Sequence, residues 1–102
     1  MQYLVINTMG EAFTTISDEE RIKVINGSSA FYAKCKKSGI LKDIWVVPNL
    51  KKNISIWEVN TPEDIDKLFM ENPVAPYENA ELYLLADWDA HERAAQETFG
   101  QK

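Results

Sequence analysis

The sequence predicts an α+β fold in which two helices cover one four-stranded antiparallel sheet. Three observations lead to this prediction. Four segments rich in β-branched and aromatic residues have the composition of strands. Capped helical patterns separate the first strand from the second and the third from the fourth. A tight turn joins the second strand to the third, as in a hairpin. The order is therefore β-α-β-β-α-β, and 102 residues fit a single domain.

The first strand is predicted over residues 2–8, where aliphatic and aromatic side chains recur. Residues 9–16 form a connection that is longer than a simple turn. We expect it to be either a plain loop or a flap over the mouth of a pocket, because loops of this length serve both purposes.

The first helix is predicted from residue 18 to about residue 37. Ser17 and Glu20 form a capping box at its start, and Gly39 is the expected left-handed residue after its end. Poor helix formers occupy residues 26–29, which predicts a kink or a close backbone contact there. The inward stripe is expected at Ile22, Ile25, Tyr32 and Cys35.

The second half of the domain is predicted to contain a hairpin of two strands, a second helix and a fourth strand. Strands are predicted over residues 40–47 and 53–59, and Pro48 closes the first of them. A second helix is expected over residues 61–71, because Thr61 is a good cap and Pro62 fits the first helical position. Its buried stripe is expected at Ile65, Leu68 and Phe69. A proline-bounded loop over residues 73–77 leads to a fourth strand over residues 81–87.

This order of elements is the ferredoxin-like motif. Residues 1–88 are predicted to form the domain, and residues 89–102 a C-terminal helical extension. Even-numbered strand positions are mostly aliphatic, and we expect them to face the helices: Leu4, Ile6, Ile44, Val46, Ile54, Ile56, Leu82 and Leu84. The odd-numbered positions carry aromatic, polar and further apolar groups. Because such a face is too apolar for open water, we expect a homodimeric α+β barrel, and a higher homo-oligomer stays open.

The second face also suggests a ligand pocket. Trp and Tyr bury their rings but keep a polar tip that needs a partner, and small-molecule sites combine apolar walls with a few polar groups. The side chains of this face are consistent with two arrangements. They could line a cavity for a small hydrophobic ligand, or they could fill a dimer interface. The side chains concerned are Tyr3, Asn7, Trp45, Ser55, Trp57 and Tyr83.

Composition excludes several classes of function. The net charge of −5 argues against a nucleic-acid backbone as partner, since that requires clustered basic residues. Cys35 is the single cysteine, which rules out an internal disulfide and fits a reducing compartment. His91 is the single histidine, so neither a metal site nor a nucleophile–base pair is expected. No secretory signal or membrane-spanning run is evident, and we expect a cytoplasmic protein.

Two blocks of residues carry a family resemblance. The first contains Gly39, Trp45, Ser55, Ile56, Trp57, Glu58 and Val59. The second contains Pro73, Val74, Ala75, Pro76 and Tyr77, followed by Glu81, Leu85 and Ala86. With these blocks the chain resembles the muconolactone isomerase-like branch of the dimeric α/β barrels, over nearly all of residues 2–87.

The resemblance implies a small isomerase that needs no cofactor and moves a proton on an unsaturated lactone or a related hydrophobic compound. Such a step requires a base beside a weakly acidic C–H and donors for the developing enolate. Glu81 and Glu58 fall at acidic positions of the family pattern and are the predicted catalytic bases, with Asp43 as a weaker third. The predicted donors are Tyr3, Tyr77, Trp45 and Trp57.

The chain departs from the family pattern in two places. Residues 26–29 lack the charges that the family carries midway along the first helix, and Val46 replaces a basic residue after Trp45. Both changes remove groups suited to an anionic substrate. Two other classes of function therefore stay open. One is a cofactor-independent or haem-type monooxygenase, although the second helix has no histidine for an axial ligand; the other is a non-catalytic binding or dimerisation module.

Overall fold

A computed structural model describes residues 1–100 and contains one four-stranded sheet with the strand order β2-β3-β1-β4, all neighbours antiparallel. The predicted ferredoxin-like α+β fold is confirmed. Two short 3-10 turns cover Pro48–Leu50 and Ala75–Tyr77. The helices and strands are β1 (Gln2–Met9), α1 (Ala12–Thr15), α2 (Asp18–Ser38), β2 (Leu41–Val47), β3 (Lys52–Glu58), α3 (Pro62–Glu71), β4 (Glu78–Leu85) and α4 (Trp88–Phe99).

Local side-chain chemistry sets the helix ends. The Ser17 hydroxyl accepts a hydrogen bond from the backbone N–H of Glu20 at the start of α2. Gly39 ends that helix in the left-handed region with φ 85°, where a side chain would be strained. Thr61 and Asp64 form a complete capping box at the start of α3. These boundaries agree with the sequence because capping depends on neighbouring residues alone.

The buried stripe of α2 differs from the predicted one. Val24, Ser28, Phe31 and Cys35 are buried, whereas Ile22 and Ile25 are 60% and 49% exposed. The observed stripe includes a serine, which hydrophobicity alone does not select. The close contact expected near the middle of the helix is present, since a Cβ atom on Gly27 would lie 2.9 Å from Cγ of Pro73.

The assignment of the two sheet faces was wrong for β1 and β3. Tyr3 and Val5 of β1 are buried with Trp57 of β3 in one cluster with Phe31, Cys35 and Ile65 of the helices. The odd positions of these two strands therefore face the helices. Within one strand, odd-numbered and even-numbered side chains lie on opposite faces. The register between two strands decides whether an odd-numbered residue of one strand pairs with an odd-numbered or an even-numbered residue of the other. Tyr3 of β1 pairs with Trp57 of β3 on one side and with Leu84 of β4 on the other. Odd-numbered residues of β1 therefore share a face with odd-numbered residues of β3 and with even-numbered residues of β4.

The helix-free side of the sheet, called the open face below, is consequently aliphatic at its centre. Ile54 lies between Ile6 and Trp45 on this face. The open face consists of Leu4, Ile6, Asp43, Trp45, Ile54, Ile56, Glu81 and Tyr83, assigned from the pairing of neighbouring strands. Both faces of the sheet are therefore rich in apolar groups, and only one is covered within the subunit.

The C-terminal helix α4 extends from the body. Its first residue Trp88 and its last residue Phe99 are 68% and 72% exposed, and the molecule measures 63 × 28 × 21 Å. Asp87 caps the helix by accepting from the N–H of Ala90. The last two residues of the predicted extension over 89–102 lie outside the described residues. Within residues 1–100, no helix combines the length and the apolar character that crossing a membrane requires.

Candidate functional site

A pocket of about 450 Å³ opens at one end of the sheet. It is formed where the ends of all four strands meet the connection between β1 and α2. The walls are mainly apolar, and a few polar groups converge on them, as expected of a small-molecule site. The principal lining residues are Asn7, Met9, Phe13, Val46, Asn53 and Glu78, and the basic residues Arg21, Lys51 and Lys52 also line the pocket.

Glu78 is the titratable group that distinguishes this pocket. It begins β4 opposite Met9 of β1 and also borders a smaller cavity of about 90 Å³ beside Asn72. Burial raises the pKa of its carboxyl group from 4.5 to about 7, because a charge is poorly solvated there. No basic group of the described residues lies within 4.0 Å to compensate that charge. A carboxyl of this kind is suited to both accept and release a proton near neutral pH.

Polar groups without full partners surround Glu78. The side-chain amide of Asn7 donates to Oδ1 of Asn53 at 3.2 Å, which leaves the amide N–H groups of Asn53 available. The Tyr32 hydroxyl is buried and makes no hydrogen bond of good geometry within the described residues, although the side chains of Asn72, Asn53 and Ser28 lie close enough to lower its pKa. The pKa of Tyr32 is raised, first by burial and second by the negative charge of Glu78. The hydroxyl and the carboxyl therefore share one electrostatic environment.

The connection between β1 and α2 lies against this pocket through Phe13 and Thr14. Residues 9–16, called the flap below, therefore form part of the pocket wall, and four of them form the short helix α1, which was not predicted. Two backbone hydrogen bonds anchor its base: Met9 N–H donates to the Lys51 carbonyl at 3.0 Å, and Gly10 N–H donates to the Tyr77 carbonyl at 2.8 Å. The flap therefore starts between the β2–β3 turn and the proline-rich loop.

The two predicted catalytic carboxylates lie away from this pocket. Glu81 is on the open face and accepts a hydrogen bond from the Tyr83 hydroxyl at 2.7 Å. Glu58 ends β3, and its Oε1 lies 3.7 Å from the N-terminal ammonium of Met1. The other oxygen of Glu58, Oε2, is buried without a partner among the described residues. Neither carboxyl touches the cluster around Glu78.

The predicted substrate-binding residues are divided between four places. Asn7 lines the pocket. Tyr3, Ser55 and Trp57 lie in the core, where the indole N–H of Trp57 donates to the Ser55 hydroxyl at 2.8 Å. Trp45 and Tyr83 are about half exposed on the open face, and Tyr77 stands at the base of the flap. The structure thus separates a group that the sequence placed on one face.

Sequence reasoning missed Glu78, Asn53 and Tyr32 as site residues. A signal for Glu78 was present, since it directly follows the Pro76, Tyr77 end of the proline-rich loop. The fourth strand was predicted to begin at residue 81, but it begins three residues earlier because Glu78 already pairs with Met9. Across the described residues, no cluster of three His, Cys, Asp or Glu side chains forms a potential metal site.

Comparison with known proteins identifies a family and a solved structure that this chain resembles. A model of the muconolactone delta-isomerase family matches residues 1–91. The crystal structure of a muconolactone isomerase superposes with a TM-score of 0.73 at 18% sequence identity, covering 85% of this chain and 90% of that one. At this identity the superposition shows the fold alone. No match was found among curated protein sequences. The resemblance seen in the sequence is confirmed.

Proposed function

The chain belongs to the muconolactone delta-isomerase family, and from that premise we propose that it is a cofactor-free isomerase that moves a proton on an unsaturated lactone or a related hydrophobic compound. The observation that carries the proposal is the carboxyl group of Glu78. It borders a largely apolar pocket, and its pKa is about 7. A base with that pKa is half ionised near neutral pH and is strong enough to remove a carbon-bound proton that a carbonyl group acidifies.

The proposed reaction transfers one proton between two carbons of the same molecule. The Glu78 carboxylate removes a proton from a carbon of the lactone, and the electron pair of that C–H bond moves onto the carbonyl oxygen as an enolate. The neutral carboxyl group then returns the proton to a different carbon, and the double bond shifts. Atoms and charge balance without an oxidant or reductant, so the chain's own residues supply the whole step.

Donors near Glu78 favour the enolate. Asn53 retains amide N–H groups after its Oδ1 has accepted from Asn7. The Tyr32 hydroxyl has no partner among the described residues and feels the charge of Glu78. Lys51 and Lys52 line the same pocket and give it a positive rim that attracts an anionic intermediate or substrate. They offset the loss of basic character at Val46, which lines the pocket as well.

Exchange of substrate protons with deuterated water tests the base directly. We expect Glu78→Gln to lower exchange and isomerisation of muconolactone by about 100-fold or more, the usual contribution of a general base. In the wild type, kcat/KM should rise with pH through about 7, since the carboxylate is the active form. Glu81→Gln and Glu58→Gln are matched controls that also test the two carboxylates predicted from the sequence.

The possible outcomes separate the hypotheses. Full activity in Glu78→Gln together with loss in Glu81→Gln would move the chemistry to the open face. Binding of the lactone without exchange in the wild type would favour a non-catalytic binding module. Oxidation of a quinol by the purified protein would instead support the monooxygenase class.

We also propose that two copies associate through the open face. Ile6, Ile54 and Trp45 are neighbours there, and no helix within residues 1–100 covers them. A sheet with apolar groups on both faces is stable in water only when both are covered. Small domains of this length also gain stability from burying surface in a dimer.

A further inference from the structure

We propose, on the basis of the proton-transfer function proposed above, that Phe13 determines the size of the substrate and that Arg21 is the positioning residue that holds Phe13 in the wall. Phe13 is the one aromatic side chain among the described residues that line the pocket. It belongs to α1, lies outside the hydrophobic core cluster and lines the pocket. A rigid ring at this place limits the width of the bound compound.

The ring of Phe13 is fixed on one side by Tyr77. The two ring centroids are 5.9 Å apart with an interplanar angle of 67°, an edge-to-face arrangement. The hydrogen bond from Gly10 to the carbonyl of Tyr77 holds the same two segments together. The space at Gly10 is limited as well, because a Cβ atom there would lie 3.1 Å from that carbonyl oxygen. The contact with Tyr77 and this backbone hydrogen bond therefore restrict the position of the Phe13 ring.

The backbone of Phe13 is fixed by Arg21. The guanidinium group of Arg21 donates to the carbonyl oxygens of Thr14 at 3.0 Å and Phe13 at 3.5 Å, and it forms an ion pair with Asp18. Helix α1 has only four residues, which is too short to be stable by itself. Its conformation consequently depends on contacts with its surroundings. Arg21, carried by the 21-residue helix α2, supplies the polar part of these contacts.

Substitutions of Phe13 and of Arg21 are expected to affect substrate binding differently. Removal of the Phe13 ring widens the pocket and loses the contact with Tyr77, but the hydrogen bonds of Arg21 and the backbone hydrogen bonds of Met9 and Gly10 still hold the flap. Replacement of Arg21 leaves the ring present but frees the segment that carries it. In both cases discrimination against large substrates decreases. Only the second change also weakens binding of small substrates, since the wall becomes mobile.

The experiment compares carboxymethyl butenolides that carry hydrogen, methyl or phenyl on the ring. For Phe13→Ala we expect the ratio of kcat/KM between the phenyl and unsubstituted compounds to rise by about tenfold or more, mainly through KM, because each methylene-sized difference in a pocket changes discrimination by about 10-fold or more. Phe13→Leu should be intermediate. Arg21→Gln should raise KM for all three compounds and also reduce the discrimination against the phenyl compound, which loss of a positive charge from the pocket lining would not do by itself. Arg21→Lys should restore part of the loss. Met70→Ala, at a side chain that is 73% exposed on α3, is the control.

Binding of the corresponding saturated lactones, measured by calorimetry, separates this proposal from the proposed reaction. Size-dependent affinity that Phe13→Ala abolishes, together with no turnover in the wild type, supports the role of Phe13 and overturns the isomerase function. An unchanged size preference in Phe13→Ala, or unchanged binding in Arg21→Gln, overturns the role assigned to that residue. Absence of binding of every lactone by the wild type overturns both proposals. Circular dichroism of each variant verifies that it is folded.

Discussion

Glu78 and Glu81 lie three residues apart on β4, and they face opposite sides of the sheet. Glu78 is paired with Met9 at the pocket, whereas Glu81 is paired with Ile6 on the open face. Successive side chains of a strand alternate between faces, so an odd spacing separates them. Glu78 is partly buried and has a pKa of about 7, while Glu81 is exposed and bound by the Tyr83 hydroxyl. One strand thus carries two carboxyl groups with different chemistry.

The raised pKa of Glu78 predicts a specific pH dependence of stability. Its pKa is about 7 in the folded protein and 4.5 when the group is unperturbed. The folded state therefore binds the proton more tightly, and this contribution to stability is complete below about pH 4.5 and is lost as the pH rises through about 7. Glu78→Gln removes the pH-dependent part. We expect it to raise the free energy of unfolding by roughly 1–2 kcal/mol at about pH 8, after allowing for screening by solvent, and to change it little at about pH 4.

Urea unfolding at the two pH values measures this difference. Glu81→Gln is the control on the same strand, and the gap between variant and wild type should not depend on pH in the same way. Equal effects of Glu78→Gln at both pH values would show that the carboxyl of Glu78 has an ordinary pKa. The base proposed for the reaction would then lack its main support.

Tyr32→Phe should separate stability from activity. The Tyr32 hydroxyl is buried without a partner among the described residues, so its removal releases a desolvation cost. We expect the free energy of unfolding to stay equal or to rise by about 1 kcal/mol. The same change removes a hydroxyl that shares the electrostatic environment of Glu78, and isomerisation should fall by about tenfold or more. Thermal unfolding and kcat, measured together, check both parts.

Tyr83→Phe is the matched control for that variant. It removes a hydroxyl from the open face, away from the pocket, together with the hydrogen bond that this hydroxyl donates to Glu81. A lower activity in Tyr83→Phe but not in Tyr32→Phe would place the ligand on the open face, as the sequence interpretation of Tyr83 requires. Marked destabilisation by Tyr32→Phe would indicate that its hydroxyl is bonded in solution.

The fold was predictable because it depends on local signals. Ser17, Gly39 and Thr61 mark helix ends through their own side chains or backbone freedom, and they act within a few residues of their positions. Strand composition then gave the order of elements. The assignment of faces failed because it needs the register between distant strands. The pairing of Tyr3 with both Trp57 and Leu84 cannot be predicted from the sequence of any one strand.

The candidate site was harder to predict for the same reason. Asn7 was predicted as one of the odd-numbered side chains of the second face, but its partner Asn53 is 46 positions away. Glu78 appeared to be a loop residue until its pairing with Met9 extended β4. Tyr32 was expected to be buried, yet only the packed structure shows that its hydroxyl has no partner among the described residues. Site chemistry here arises from tertiary neighbours.

Ser55→Ala tests whether the buried pair of Ser55 and Trp57 belongs to the core or to a binding site. Ser55 accepts the indole N–H of Trp57 at 2.8 Å, and both residues are at most 1% exposed. The variant leaves that N–H buried without an acceptor, which should lower the free energy of unfolding by about 1–3 kcal/mol. We expect KM for the lactone to remain unchanged, because both side chains lie in the core.

Combining Ser55→Ala with Trp57→Phe tests whether the hydrogen bond between the two residues causes the loss of stability. Trp57→Phe removes the N–H together with part of the ring, so Ser55→Ala should cost less in that background than in the wild type. Chemical denaturation of the four proteins gives the coupling between the two residues. A rise in KM without loss of stability in Ser55→Ala would restore the substrate-binding role predicted from the sequence.

Ile54→Glu tests the proposed association through the open face. Ile54 lies between Ile6 and Trp45, at the centre of the exposed part of the sheet. In a dimer its carboxylate would be buried without a partner, at a cost of several kcal/mol. In a monomer the same group would remain in contact with water. We therefore expect a folded protein with half the molar mass of the wild type, as measured by analytical ultracentrifugation.

Met70→Glu is the matched control, since it places the same charge on an apolar side chain that is 73% exposed on α3. It should leave the molar mass unchanged. A wild-type protein that sediments as a monomer, or an Ile54→Glu variant that keeps the wild-type mass, would exclude the open face as the contact. Because Glu78 lies on the covered side of the sheet, proton exchange in a monomeric Ile54→Glu variant would also show whether one subunit suffices for the chemistry.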